Sequence, residues 1–293
     1  MNKYMSAAGL AGLDQNDYED LYRIVEKDPD LYIEASYIEG KEYDERLIEL
    51  TKYIAPNIGI TLRGFLDRDD QFIRQLAFPV IKINEPVSKK YKRISPLKNE
   101  PAALTRSDFP TLGCSLYSYV QNLYEVSDGE ELSSLTNATW KGIGISALSS
   151  AGMILLPMGR SENKELRAIE GKRNRLKKEI FNGNDDAYEQ LTLTEMQIYT
   201  TIDKRVKKNG IYGVISTTLM PRGVEEDMYY CIGLIEEISS SKIPLTEQIV
   251  YHFLLSCCGI RFCVSINKDT LIGEPEVGRR FKGIVWMQSR IFA

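Results

Sequence analysis

Residues 271–292 read LIGEPEVGRRFKGIVWMQSRIF and combine turn residues, charges and a strand pattern in one stretch. Because glycine permits positive φ and proline fixes φ, Gly273, Pro275 and Gly278 predict a loop. The β-branched and aromatic residues from 281 to 291 then predict a half-buried strand. Its period of two would place one set of side chains on each face, namely 284, 286, 288 and 290 on one and 285, 287, 289 and 291 on the other.

Three cations at the start of this strand form the first candidate site. Arg279, Arg280 and Lys282 follow the glycine turn, and an arginine pair can hold a phosphate or carboxylate through bidentate hydrogen bonds. Alternatively, both arginines pair with Glu274 and Glu276 and only stabilise the loop, since such ion pairs are common and usually structural. The sequence leaves both interpretations open.

A resemblance to a known family rests on the same stretch. The run GEPEVGRRFKGIVWMQ at 273–288 resembles the C-terminal signature of a bacterial family of about this length that has no assigned function. Two further runs, ISALSSAGMILLP at 145–157 and INKDTL at 266–271, resemble that family in the same order. The resemblance implies a whole bacterial protein, and it implies no activity, cofactor or catalytic residue.

Composition narrows the class of protein. The chain has 293 residues, of which 43% are hydrophobic and 27% charged, as is typical of globular proteins. A net charge of −4 argues against a dedicated nucleic-acid binder. The sequence shows neither an apolar run that could span a bilayer nor a signal peptide. The five cysteines are odd in number and mostly lie in apolar runs, which indicates buried free thiols. We therefore expect a cytoplasmic protein without membrane insertion.

The predicted fold class is α+β and β-rich, with antiparallel hairpins and a charged helical hairpin inserted mid-chain. Three regions are expected, at 1–158, 159–210 and 211–293, and the first and third can share one core. The segment predictions before the insert are a helix at 14–27 with Asp14 as N-cap, a strand at 31–38, an ambiguous segment at 43–54 whose spacing suits a helix, a hairpin of 58–62 and 76–80, a long connection at 82–110, a long strand at 112–126, and a second hairpin of 140–148 and 153–156. After the insert, five strands at 212–219, 228–238, 249–255, 260–266 and 281–291 can close into a small barrel.

The mid-chain insert carries the second candidate site. Its positive charges form a candidate partner-binding face, whose members are Lys172, Arg173, Arg175, Lys177 and Lys178. Such a face can contact RNA, an anionic lipid surface or an acidic protein, and the alternative is a merely solvated helix. Further along, Thr192 and Glu195 predict a capping box, and Tyr199, Ile202 and Val206 predict an apolar stripe.

Motifs of catalysis are absent or lack their context. GIGISA at 142–147 matches the G-x-G-x-x-A dinucleotide fingerprint, but no buried strand precedes it and no helix follows. Cys257, Cys258, Cys263 and His252 are interpreted as core residues, because adjacent cysteines chelate poorly. A Cys–His nucleophile pair would require spatial closeness that a sequence does not reveal. We predict no metal, no cofactor and no catalytic residue.

The leading hypothesis is a non-catalytic binding or interaction protein with an unknown protein partner. It would use the helical insert or the 279–282 loop. One alternative is an enzyme or binding protein for a small anionic ligand held by Arg279 and Arg280, and another is weak RNA binding. Whether the protein is an enzyme stays open, and the failed motifs favour a non-enzyme.

Overall fold

The computed structural model describes most of the chain, in two compact units. The described residues are 3–37, 45–87, 93–97, 100–109, 112, 115–127, 141–155, 168–169, 171–173, 175–176, 179, 184, 186–209, 217–223 and 225–292. The first unit joins Met1–Ile154 to Thr217–Ala293, and the second is Leu155–Ser216.

The C-terminal stretch forms the predicted loop and strand. Gly273 and Gly278 both have positive φ, 90° and 88°, and strand β14 spans Arg280–Phe292. The half-buried character predicted for this strand is wrong, because both of its faces are buried between residues 285 and 289. One reason is that the Gln288 side chain bonds the backbone of a neighbouring sheet at Pro79 and Ile81.

The N-terminal half of the first unit is an antiparallel sheet in the order β1-β2-β3-β4. Its strands are β1 (Leu31–Tyr37), β2 (Glu45–Ala55), β3 (Ile58–Leu66) and β4 (Phe72–Ile81). The hairpin β3–β4 is as predicted. The helical spacing at 43–54 was misleading, because this segment pairs with strands on both sides and buries residues of both parities.

Two N-terminal helices accompany this sheet, α1 (Lys3–Ala7) and α2 (Gln15–Lys27). The predicted N-cap of α2 is confirmed, since the Asp14 carboxylate accepts from the Asp17 backbone N–H at 2.9 Å. The Asp17 carboxylate accepts in return from the Asp14 N–H, which completes a capping box. The buried face of α2 consists of Tyr18, Leu21 and Val25.

The second sheet contains a five-stranded barrel. Its strands are β5 (Arg93–Pro96), β6 (Ala103–Asp108), β7 (Ser115–Val120), β8 (Gly142–Leu155), β9 (Thr218–Pro221), β10 (Met228–Lys242), β11 (Ile249–Cys257), β12 (Ile260–Asn267), β13 (Leu271–Ile272) and β14. The barrel closes through the ring β8-β12-β11-β10-β14, because β14 also pairs with β8. The predicted barrel is thus confirmed with one exchange: β8 takes the place of the 212–219 segment, whose strand β9 only flanks β10.

Strand β8 runs without a break from Gly142 to Leu155, so the predicted second hairpin is wrong. The supposed turn residue Gly152 lies inside β8, where an added Cβ would come within 2.5 Å of the Phe281 ring. Gly283 on β14 meets the same ring at 2.5 Å. Both glycines therefore make room for Phe281 inside the barrel, and neither forms a turn.

Two further segments differ from their predictions. The 82–110 connection contains β5 and β6, which extend the sheet beyond β7 in antiparallel order. The predicted long strand at 112–126 ends as β7 at Val120, and helix α3 (Leu123–Ser127) follows. The Asn122 amide explains this change, since it bonds both the N–H and the C=O of Ile291 on β14 and ends the strand pairing there.

The second unit contains helix α4 (Ala187–Asn209). Thr192 lies within this helix and its hydroxyl donates to the Tyr188 carbonyl, so the predicted capping box is wrong. The predicted apolar stripe is also wrong, because Tyr199 is 73% exposed while Ile198 is buried. The other half of the predicted helical hairpin is described only in short pieces between 168 and 179, so the pairing of two helices stays a prediction.

Candidate functional site

The arginine pair after the glycine turn is already engaged. An Arg279 Nη atom lies 2.6 Å from the Glu276 carboxylate, and the other Nη donates to the Glu274 carbonyl at 3.1 Å. Arg280 is buried, and this burial lowers the pKa of its guanidinium. Arg279 thus makes the contacts with Glu274 and Glu276 that were expected if the arginines only stabilise the loop. An anion site built from Arg279, Arg280 and Lys282 stays a prediction.

The cationic face of the insert is described only in part. Lys172 and Arg175 are exposed and Arg173 is half-buried, all in short helical pieces. Lys177 and Lys178 lie outside the described residues. The partner-binding role of these five residues therefore stays a prediction.

His252 lies between two serines and not beside a cysteine. Its Nδ1 is 2.7 Å from the Ser265 hydroxyl, and its Nε2 is 2.9 Å from the Ser241 hydroxyl. Burial lowers the pKa of His252 to about 4. The neutral ring therefore donates from one nitrogen and accepts at the other, and both positions are occupied by enclosed hydroxyls. This arrangement is a satisfied core histidine.

Of the vicinal cysteines, Cys257 contacts backbone carbonyls, and Cys258 contacts the Thr217 hydroxyl. The Cys257 thiol donates to the carbonyls of Thr218 and Ile232, both at 3.3 Å. A hydrogen bond with Cys231, followed by burial, raises the pKa of Cys257 well above its ordinary value. Within the described ranges, no three His, Cys, Asp or Glu side chains cluster as metal ligands.

A buried ion pair between neighbouring strands of the N-terminal sheet also bonds the backbone of the second sheet, through its arginine. Arg63 on β3 donates from Nε to the Glu49 carboxylate on β2 at 2.6 Å. An Nη atom of Arg63 donates to the carbonyls of Val120 and Gln121, at 2.8 and 2.7 Å, where β7 ends. Burial raises the pKa of the Glu49 carboxyl, and the nearby Arg63 opposes that rise. The pair and the Phe78 ring, 4.8 Å from the guanidinium carbon, form a clamp against the end of β7, and the space beside Glu49, about 10 Å³, is too small for a substrate.

An open cleft of about 490 Å³ lies on the outer side of the barrel. Its walls are the 82–87 segment, which follows β4, the first part of β8, and the β11–β12 hairpin. This volume falls within the roughly 300–1,000 Å³ typical of small-molecule sites. Lys82, Glu85 and Arg261 are its charged lining residues, and its apolar lining includes Val87 and Leu254.

The two cationic side chains of the cleft contact residues outside its lining. The Arg261 Nε donates to the Glu236 carboxylate at 2.6 Å. The Lys82 ammonium lies 5.1 Å from the centre of the Tyr53 ring. The Cys263 thiol also lines the cleft, and burial raises its pKa to about 11, so the thiol stays protonated at neutral pH. The cleft therefore offers charges and apolar surface but no activated nucleophile.

The glycine pattern at 142–147 helps to build this cleft. Gly144 on β8 is covered by the 82–87 segment so closely that an added Cβ would lie 2.2 Å from the Ile83 side chain and 2.8 Å from the Glu85 carbonyl. Val87 then donates its N–H to the Ile143 carbonyl at 2.8 Å. The glycine is needed for close approach of two chain segments, and no nucleotide motif is formed.

Comparison with known proteins places the chain in a family. A family model described as "domain of unknown function, E. rectale gene description" (DUF3881) matches residues 5–289. The chain belongs to the DUF3881 family. This match confirms the predicted resemblance to a bacterial family without an assigned function. Neither a curated protein nor a solved structure matches the chain.

Sequence reasoning about this DUF3881 chain missed both the clamp and the cleft. A charged pair inside two strand patterns, Glu49 and Arg63, was a readable signal, because such residues are rarely buried unless paired. The cleft had no local signal, since its walls come from three distant parts of the chain. In the part of the chain that is described, no helix combines the length and apolar character needed to cross a bilayer.

Proposed function

We propose that this DUF3881 protein is a non-catalytic binding protein whose small-molecule ligand occupies the cleft between the 82–87 segment and the β11–β12 hairpin. The observation that carries the proposal is the cleft itself, an opening of about 490 Å³ with three charged side chains around apolar surface. A few placed polar groups on a mainly apolar wall are typical of ligand sites.

The distribution of titratable groups supports binding over catalysis. Catalytic acids, bases and nucleophiles usually have shifted pKa values within a cleft. Here the shifted groups Glu49 and His252 are buried and bonded to protein partners. Cys263 does line the cleft, but its raised pKa disfavours the reactive thiolate.

The test compares which small molecules the protein retains when the cleft is open or filled. Wild-type protein, Cys263→Trp and Ile24→Trp are each incubated with a bacterial metabolite extract, passed through a desalting column and analysed by mass spectrometry. Cys263→Trp fills the cleft. Ile24→Trp adds the same ring on α2, where residue 24 is 50% exposed and outside the cleft lining.

We expect at least one compound that wild type and Ile24→Trp retain and Cys263→Trp loses. That compound should raise the melting temperature of wild type, since a ligand at 100 times its Kd adds about 2.7 kcal/mol. Identical retention by all three proteins contradicts the proposal. The cationic insert as a partner site, RNA binding and the 279–282 anion site stay predictions from the sequence.

A further inference from the structure

The charges around the cleft specify the chemistry of its ligand. We infer that the cleft takes a zwitterionic ligand with an apolar body, an amino acid or short peptide whose carboxylate faces Arg261 and whose ammonium faces Glu85. The inference rests on the proposed function and adds the ligand class to it.

The two signs of charge carry this inference. The cleft is lined by charges of both signs, Arg261 and Glu85, whereas the ammonium of Lys82, which also lines it, lies over the Tyr53 ring outside the lining. A purely anionic ligand would leave Glu85 facing like charge, and a purely cationic ligand would leave Arg261 facing like charge. A ligand with one carboxylate and one ammonium pairs with both signs. Arg261 is already anchored by Glu236 through Nε, so its position is set before a ligand binds.

The apolar part of the lining accounts for the rest of the ligand. Val87 and Leu254 line the cleft, and side chains of this kind favour an apolar residue over a sugar or a phosphate ester. An open cleft of about 490 Å³ has more space than one free amino acid would fill. Since ligand sites bury roughly 70–90% of a ligand's surface, a peptide of two or three residues matches the volume better.

Isothermal titration of the full chain tests the inference. The probes are leucyl-leucine, trileucine, free leucine, and leucyl-leucine with either its amino group acetylated or its carboxyl group amidated. The variants are Arg261→Met, Glu85→Gln and the filled cleft Cys263→Trp. Lys27→Met is the matched control, because Lys27 is an exposed lysine on α2, outside the cleft lining.

We expect leucyl-leucine or trileucine to bind wild type and Lys27→Met equally and to lose binding in Cys263→Trp. Acetylation and amidation should each weaken binding roughly ten- to hundred-fold, the effect expected for one charge-assisted hydrogen bond. In Glu85→Gln, acetylation should matter little, and in Arg261→Met amidation should matter little. Tighter binding of free leucine than of the peptides would identify the amino acid as the ligand source and still support the zwitterion.

Three results overturn the inference. The first is that neither peptide nor free leucine binds. The second is that a capped peptide binds as tightly as the free one. In both cases the proposed function still stands if Cys263→Trp loses a metabolite that wild type retains. The third is that Cys263→Trp binds these probes as well as wild type does, which moves their site away from the cleft.

Discussion

Replacing Arg63 with methionine should strongly destabilise the first unit. Methionine keeps much of the aliphatic stem but removes the guanidinium, which bonds Glu49 at 2.6 Å and two β7 carbonyls at 2.7 and 2.8 Å. Glu49 is only 4% exposed, so its carboxylate is left buried without its cation. Breaking a buried pair in this way typically costs about 3–5 kcal/mol.

Urea unfolding followed by circular dichroism measures this cost, and thermal melting should show a fall of about 6–20 °C for a unit of this size. A double-mutant cycle isolates the pair: Glu49→Leu with Arg63→Met removes both charges and should recover at least half of the loss. A loss below about 1 kcal/mol for Arg63→Met would refute the clamp. So would a double variant whose loss equals the sum of the two single losses.

Three other predictions follow from local geometry. Burial holds the pKa of His252 at about 4 in the folded protein, so the unfolded chain takes up this proton first as the pH falls. About 3 kcal/mol of stability should therefore be lost between pH 7 and pH 4. Urea unfolding of His252→Gln should show a flatter dependence of stability on pH than wild type. Gly144→Ala would collide with the segment crossing over β8, so it should cost about 1–3 kcal/mol and weaken metabolite retention. Gly171→Ala has no atom within 4 Å of its added Cβ and lies in a short helical piece, so in the same melting assay it should be neutral or stabilising by up to about 1 kcal/mol. Cys258 and Gly259 form the two-residue turn between β11 and β12, with φ of 50° and 81°. Asparagine tolerates positive φ better than cysteine, so Cys258→Asn should raise stability by about 0.5–1 kcal/mol. An unchanged or lower melting temperature would contradict this prediction.

Local signals were sufficient for some elements and misleading for others. Helix α2 has its cap and stripe within one segment, and the 271–292 loop and strand carry their own turn residues, so both follow from nearby sequence. Strand β8 does not, because its partners β12 and β14 come more than a hundred residues later and β12 pairs with it in parallel. Gly152 makes room for the Phe281 ring, which is also more than a hundred residues away in the sequence. Without that contact in view, the glycine was interpreted as a turn residue.

The 43–54 segment shows a second limit of pattern reading. A strand buried on one face alternates between apolar and polar residues, but β2 buries Ile48, Glu49, Leu50 and Thr51 in succession. Its apolar residues then fall at spacings that also suit a helix. Tertiary packing, including the Arg63 clamp, decides between the two states.

The candidate site was beyond sequence reasoning for the same physical reason. Lys82 and Glu85 lie in a segment that reads as a connection, and Arg261 lies on a barrel strand. Only the fold brings them to one cleft. The Arg279–Glu276 contact, by contrast, could be predicted from the sequence, because both residues belong to one short loop.

Alkylation of Cys263 tests the central claim, a ligand in the cleft, most directly. The Cys263 thiol lines the cleft, and its pKa of about 11 gives slow but measurable reaction with iodoacetamide at mildly alkaline pH. Mass spectrometry would follow modification of Cys263 with metabolite extract and with the same extract dialysed free of small molecules. The account predicts a several-fold slower reaction with the undialysed extract. An equal rate, in a sample where wild type demonstrably retains a compound, would place the ligand elsewhere and contradict it.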